Sequence, residues 1–293
     1  MQDRSQLTDS DAERRVAAHN DLLVSVLQRY EATSDERLRT VMEAAIRHLH
    51  AFAIEVGLTR DEWAAGIQFL TATGQKCDDV RQEFILLSDT LGLSTLVELI
   101  TYDAVDGATE NTVLGPFYVP GSQEPGDGGS IVIDDDDGER VLIRGTVTDP
   151  EGRPVAQATI DVWQTASNGF YAVQQPDQQD PQNCRGRFHA DDEGRYAFRT
   201  VRPKDYSIPG DGPVGALLAA TGRGLMRAAH THVMASAPGF KTLITHVFDA
   251  DSVHLHDDAV FGVRDSLVRD FDSHDGAEAI VDFDIVLIPT DPV

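Results

Sequence analysis

The sequence predicts an α+β chain, with an all-helical N-terminal third followed by a β-rich remainder built as a sandwich or a barrel. Three observations carry this. Apolar residues recur at helical spacing from Thr8 to about Val105. Beyond "GATENTVLGPFYVPGS" short β-prone runs alternate with Gly, Pro and Asp about every ten residues. No glycine-rich phosphate loop and no internal repeat appears, which speaks against a wound α/β sheet.

Taken in order, "LTDSDAERRVAAHNDLLVSVLQRYEAT" places Val16, Leu23, Val26, Leu27 and Tyr30 near one helix face, with Asp9 or Ser10 able to cap it. "SDERLRTVMEAAIRHLHAFAIEVG" repeats the pattern, opening near Ser34 with acids in its first turn and stopping at Gly57. "TRDEWAAGIQFLTATGQ", capped by Thr59, and "DDVRQEFILLSDTLGLSTLVELITYDAV" supply two or three more helices. Strands are expected in "RVLIRGTVTD", "ATIDVWQTA", "GRYAFRTVRP", "AAHTHVMASA", "KTLITHVFD" and "AIVDFDIVLIP". "DPEGRPV" reads as a turn set by Pro150 and Gly152, and "DDDDGER" as a solvated loop with Ca²⁺ binding as a minor alternative. Two domains follow, residues 1–107 and 108–293.

Acidic residues outnumber basic ones 49 to 24, and the net charge of −25 argues against nucleic acid or an anionic membrane as partner. A neutral substrate or a cation fits better. Cys77 and Cys184 can form at most one bridge and have no zinc-type spacing, so a reduced compartment is expected. "MQDRSQLTDSDAERR" has no apolar signal-peptide core and no later run reaches spanning length, so the chain is expected in the cytoplasm.

Three His-x-His pairs separate by geometry. His48 and His50 lie in a helical run, where two residues turn by about 200°, so they cannot converge on one ion. His254 and His256 lie among aspartates and read as a surface cluster, with a hard-metal site as the alternative. His230 and His232 share a strand face and stand side by side, which suits a metal. The plainer reading is one core histidine bonded to a carbonyl and one at the surface. A cupin-type site lacks its glutamate, because none occurs between Glu193 and Glu278, and a two-His-one-carboxylate site stays open, although aspartates such as Asp205 or Asp249 sit at strand ends or turns.

Tyrosines offer other ligands. Tyr196 alternates with Phe198 as a core residue would, whereas Tyr171 follows a strand and Tyr206 sits in the Pro/Gly-rich loop before the His-x-His strand. A phenolate binds strong Lewis acids such as ferric iron. Two phenolates and two imidazoles would make a ferric site with an open position.

"IDVWQTASNGFY", "RPKDYSIPGDGPVG", "RAAHTHVMASAPG" and "DDAVFGVR", in this order and after a "TENTVLGPFYVPGS" lead-in, resemble the intradiol ring-cleaving dioxygenases, non-haem Fe(III) enzymes that open catechols between their hydroxyls. The helical N-terminus is similar to the catechol and hydroxyquinol branch rather than the shorter protocatechuate chains. "ILLSDTLG", "YSIPGDGPVG" and "TLITHVF" followed by "DAVFGVR" are most similar to hydroxyquinol 1,2-dioxygenases, and catechol-type relatives carry glutamine where this sequence has His246. "HTHV" and "DADSVHLHDD" depart from the usual patterns, which bears on fine substrate preference.

The resemblance implies an N-terminal all-helical dimerisation domain followed by a β-sandwich catalytic domain. It implies one Fe(III) per subunit on Tyr171, Tyr206, His230 and His232, with hydroxide completing five ligands. The substrate would be a small aromatic diol or triol, chelated as a dianion as Tyr206 leaves and accepts a proton, and O2 would then open the ring to a muconate. Arg227 would stand beside the ring and stabilise developing negative charge; its plainer reading is a surface salt bridge. Implied pocket residues are Leu86 and Asp89 on the helical side, Val113, Leu114, Gly115, Pro116 and Phe117 in the lead-in, then Ile208, Pro209, His246 and Val260. Asp89 is expected to accept a hydrogen bond from the third hydroxyl of benzene-1,2,4-triol; otherwise it is a helix-terminal polar contact. A homodimer through the helical domain, with a lipid tail between helices, is also implied. Rival readings are a catechol or chlorocatechol dioxygenase and, outside the class, a metal-free sandwich that binds carbohydrate or protein.

Overall fold

The computed structural model describes residues 9–78, 81–102, 105–272 and 278–290. It divides into two compact units, Met1–Leu70 and Thr71–Val293.

In the first unit, α1 (Asp9–Gln28) and α2 (Glu36–Glu55) are the principal helices. Leu23, Val26 and Leu27 of α1 and Tyr30 just beyond it are half-buried, so the face read from the sequence is the one that packs. The side chains of Asp9, Ser10 and Val16 lie outside the described residues. Helix α2 is capped by Asp35, one residue later than the predicted start, because its carboxylate accepts from the Leu38 N–H at 2.9 Å. It ends before Gly57, which takes the left-handed φ of 58° that closes a helix without a Cβ clash. Helix α3 (Arg60–Gln75) opens on a reciprocal cap: Thr59 Oγ1 accepts from the Glu62 N–H at 3.3 Å, and Glu62 accepts from the Thr59 N–H at 2.8 Å. Among the described residues of this unit only Ile46 is a buried hydrophobic.

The second unit contains α4 (Glu83–Thr90), α5 (Leu93–Thr101) and two open sheets. Strand β1 (Arg140–Thr148) pairs antiparallel with β4 (Arg195–Val201) and parallel with β10 (Ala279–Asp282) and β11 (Ile285–Val286). The second sheet runs β3-β2-β7-β8-β9, formed by Arg185–His189, Thr159–Trp163, His230–Ser236, Leu243–Asp249 and Val268–Arg269. Neither sheet closes on itself, so the architecture is the sandwich rather than the barrel. One continuous core joins both sheets, with Val141, Ile143 and Phe198 from the first and Ile160, Val162, Val233 and Val247 from the second. Where β1 passes the β10–β11 link, a Cβ on Gly145 would lie 2.0 Å from the Phe283 carbonyl oxygen, so only glycine fits.

Tyr196 behaves as predicted for a core tyrosine, donating its hydroxyl to the Phe283 carbonyl at 2.6 Å. The aspartate run is less solvated than expected: Asp136 is buried and accepts from the N–H groups of Gly138 (2.8 Å) and Ser167 (3.0 Å). A further helix, α6 (Pro213–Ala220), and a two-stranded ribbon of β5 (Tyr206–Ser207) and β6 (Met226–Arg227) complete the unit. Both cysteines are free. Among the described residues no single helix is long and apolar enough to cross a membrane.

Candidate metal centre

Strand periodicity builds half of the site. In β7, Val233 and Ala235 point into the sandwich core, so His230 and His232 project from the opposite face of the sheet, both about 1 % exposed. Their Nε2 atoms are 3.1 Å apart. His48 and His50, by contrast, sit on α2, and His254 makes a local pair with Asp257 at 2.9 Å.

The tyrosines arrive from two other elements. Tyr171 immediately precedes the 3₁₀ turn Ala172–Gln174 and is stacked on Phe117 with centroids 4.4 Å apart. Its hydroxyl lies 3.1 Å from His232 Nε2 and 3.4 Å from the Tyr206 hydroxyl. The β5–β6 ribbon sets Tyr206 directly opposite Arg227, whose Nη1 donates to the Tyr206 hydroxyl at 3.3 Å. Four donor atoms from three elements therefore converge at 3.1–3.4 Å from neighbour to neighbour. Ligands held at about 2.1 Å around one ion are about 3.0–3.4 Å apart for angles between square and tetrahedral. The donor set fits a single small cation.

His246 completes a buried cluster of three histidines. It is not equivalent to the other two: its Nε2 is 2.8 Å from His232 Nδ1, on the side of that ring remote from the tyrosines. No carboxylate joins this cluster among the described residues. Asp205 accepts from the Ala229 N–H at 2.8 Å, and Asp249 is ion-paired to Arg202 at 2.6 Å.

Burial controls the electrostatics. Desolvation pushes the three histidines well below their ordinary pKa, with Arg227 adding to the effect, so all three rings are neutral and can offer lone pairs. His230 Nδ1 is 2.6 Å from the Ala228 carbonyl oxygen, which can only accept, so Nδ1 carries the proton and Nε2 is free. Desolvation also raises the Tyr171 hydroxyl well above its usual value, and the Arg227 charge opposes this. Arg227 is not at the surface. It is 2 % exposed, its Nε donates to Asp258 at 3.1 Å, and its Nη2 has no partner.

One cavity is bordered by Leu86 and Asp89 from α4, by Val113, Gly115, Pro116 and Phe117, by Ile208, Pro209 and Val260, and by Tyr206 and Arg227. Two predicted wall residues fall elsewhere: Leu114 packs against the Trp163–Tyr171–Tyr206 cluster, and His246 lies behind His232. Asp89 is buried, 4 % exposed, and desolvation raises its carboxyl above the ordinary range, with Ser94 and Arg227 acting against the shift. A larger cavity of about 680 Å³ shares Leu86, Pro116, Phe117 and Pro209 with the first. Gly115 has φ +71°, and a Cβ there would approach His232 Cε1 to 3.3 Å, so the wall lies directly on the imidazole.

Three partners escaped the sequence reading. Asp258 anchors Arg227, and the "DDAVFGVR" motif was its only trace. Thr112 Oγ1 meets His246 Nδ1 at 3.0 Å, and Trp163 stacks on His232 at 4.6 Å and 11°. For Thr112 nothing local marks the role; for Trp163 the mark is the cross-strand register Trp163–His232–His246.

Residues 113–289 match the family described as Dioxygenase, and residues 35–109 match Catechol dioxygenase N terminus. A 6-chlorohydroxyquinol 1,2-dioxygenase of Cupriavidus pinatubonensis is 47% identical over 93% of this chain and 98% of its own. A hydroxyquinol 1,2-dioxygenase of Nocardioides simplex is 47% identical over 93% and 96%. Among solved structures, a hydroxyquinol 1,2-dioxygenase from Pseudomonas putida superposes with TM-score 0.86 at 43% identity, covering 93% of this chain and 99% of that one. The catechol 1,2-dioxygenase of Acinetobacter radioresistens gives 0.80 at 28% identity, over 93% and 94%. With both parts of the chain matched and the tyrosines and histidines of its motifs gathered at one point, the chain belongs to the intradiol ring-cleavage dioxygenases.

Proposed function

We propose that this enzyme opens benzene-1,2,4-triol with O2 between its adjacent hydroxyls, giving 3-hydroxy-cis,cis-muconate, the enol form of maleylacetate. The reading assigns one Fe(III) per chain to Tyr171, Tyr206, His230 and His232. The observation that carries it is the convergence of two phenol oxygens and two imidazole nitrogens at 3.1–3.4 Å. A hard oxygen pair with two nitrogens suits ferric iron better than a soft ion. The names of the relatives above support the triol as substrate.

When bound, ferric iron supplies the Lewis acidity that lowers the pKa of the two substrate hydroxyls and prepares the ring for O2. The protein's own residues do the rest. Tyr206, one of the four residues that would hold the ion, would accept a substrate proton at its hydroxyl oxygen, where Arg227 Nη1 at 3.3 Å would steady the phenolate charge. The unpartnered Nη2 of Arg227 offers a further donor to negative charge developing on the ring. Leu86, Val113, Pro116, Phe117, Ile208 and Val260 exclude water and hold the ring plane. Asp89 accepts the third hydroxyl. The helical unit, with Leu49, Phe52 and Trp63 more than half exposed, is assigned to a homodimer interface that can hold a lipid tail. The net charge of −25 leaves no role for nucleic acid or an anionic membrane, and we place the enzyme in the cytoplasm.

A visible spectrum of the purified protein tests the centre, repeated without oxygen after adding the triol and then catechol. A red protein whose band shifts more with the triol supports both metal and substrate. A larger shift with catechol favours a catechol dioxygenase, and a protein that stays colourless after iron reconstitution refutes the ligand set. Asp89→Ala is expected to lower the triol-over-catechol preference by about 10- to 100-fold, the worth of one charge-assisted hydrogen bond. Because burial raises the Asp89 pKa, the wild-type preference should also fall as pH drops through that raised value, where the acceptor is protonated. A preference unchanged by both treatments removes Asp89 from recognition.

A further inference from the structure

His230 and His232 face the same point but are held from behind by different groups. His230 Nδ1 donates to a backbone carbonyl, an acceptor that cannot reverse. His232 Nδ1 instead meets another imidazole: β7 and β8 pair His232 with His246, whose Nε2 is 2.8 Å away with the ring planes at 89°. A neutral imidazole has one N–H, so this contact has two possible directions. If His246 donated, the His232 proton would sit on Nε2, pointing among the His230 nitrogen and the Tyr171 hydroxyl, and no lone pair would remain for a cation. If His232 donates, the His246 proton sits on Nδ1, where Thr112 Oγ1 accepts it at 3.0 Å. Thr112 is itself fixed, its N–H donating to the Ile244 carbonyl at 2.8 Å. Only the second direction leaves the His232 Nε2 lone pair free to face a cation.

We infer that His246 is a positioning residue: anchored on Thr112, it accepts the Nδ1 proton of His232 and so fixes the tautomer that turns the His232 Nε2 lone pair toward Tyr171 and His230. This rests on the metal reading of the four donors. It also reassigns His246 from the substrate wall to the support behind a ligand, in keeping with its absence from the cavity lining. Any side chain that presents an acceptor at the same place can serve. Glutamine can, through its amide oxygen; leucine, of similar size, cannot.

The test compares wild type, His246→Gln and His246→Leu by iron retained against a competing chelator and by the position of the tyrosinate-to-iron band. His246→Leu is expected to hold iron about 10- to 100-fold more weakly, with His246→Gln close to wild type. If Leu holds iron as tightly as wild type, or if Gln and Leu lose it equally, the positioning role is overturned while the centre stands. A wild-type protein that takes up no iron overturns the centre and this inference together. Should His246→Leu fail to fold, wild type loaded with diamagnetic Ga(III) and ¹⁵N-histidine still decides. The proton is expected on His232 Nδ1, with a coupling across the hydrogen bond to His246 Nε2, and a proton found on His246 Nε2 overturns the inference.

Discussion

The helical unit and the sheet unit treat their apolar residues in opposite ways. In the first, Ile46 alone is a buried hydrophobic among the described residues, while Leu38, Leu49, Phe52, Ile54 and Trp63 are more than half exposed. In the second, side chains such as Ile143, Ile160, Phe198, Val233 and Val247 are fully buried in one core. The site is carried by the second. A rigid sandwich can hold four donor atoms within tenths of an ångström, because close-packed cores transmit little slack. The first unit leaves its apolar surface exposed instead, the face that the proposed homodimer would cover.

Three substitutions probe that contrast. Phe198→Ala in the sheet core should cost about 3–5 kcal/mol by denaturant unfolding and release the iron together with the fold; a loss under 1 kcal/mol would mean that the core tolerates voids. Phe52→Ser should leave the metal band unchanged and weaken the proposed dimer by about 1–3 kcal/mol, read as a shift of the dissociation midpoint on dilution. An unchanged midpoint would separate this face from the interface. Thr59→Ala removes the reciprocal cap of α3 and should cost about 1 kcal/mol, with activity per bound iron unaltered. A fall in that specific activity would show that the cap reaches the chemistry.

What the sequence disclosed follows the range of its signals. Periodicity placed the packed face of α1 and the shared face of His230 and His232, because both are local consequences of 3.6- and two-residue repeats. It missed β3, whose "RGRFH" has no apolar alternation, and β5, β6 and β9, which are two residues long. Helix α6, "PVGALLAA", is apolar on every side and has no stripe to read. In the site, the tyrosines stood out through the motifs they share with a family. The partners of His246 and Arg227 did not: Thr112 reaches His246 across 134 positions and Asp258 reaches Arg227 across 31. Such pairs exist only once the sheets have formed. The place of His246 behind His232, rather than in the wall, depends on strand register and has no local signal.

That register would make the proposed metal a reporter of correct folding. A slip of one residue in β7 would turn His230 and His232 into the apolar interior and bring Thr231 and Val233 to the outer face. The misaligned chain could keep much of its strand content and still have no ligands to offer. Colour during refolding would therefore appear only in molecules whose strands are in the native alignment, and its time course would follow a pairing step that circular dichroism does not resolve.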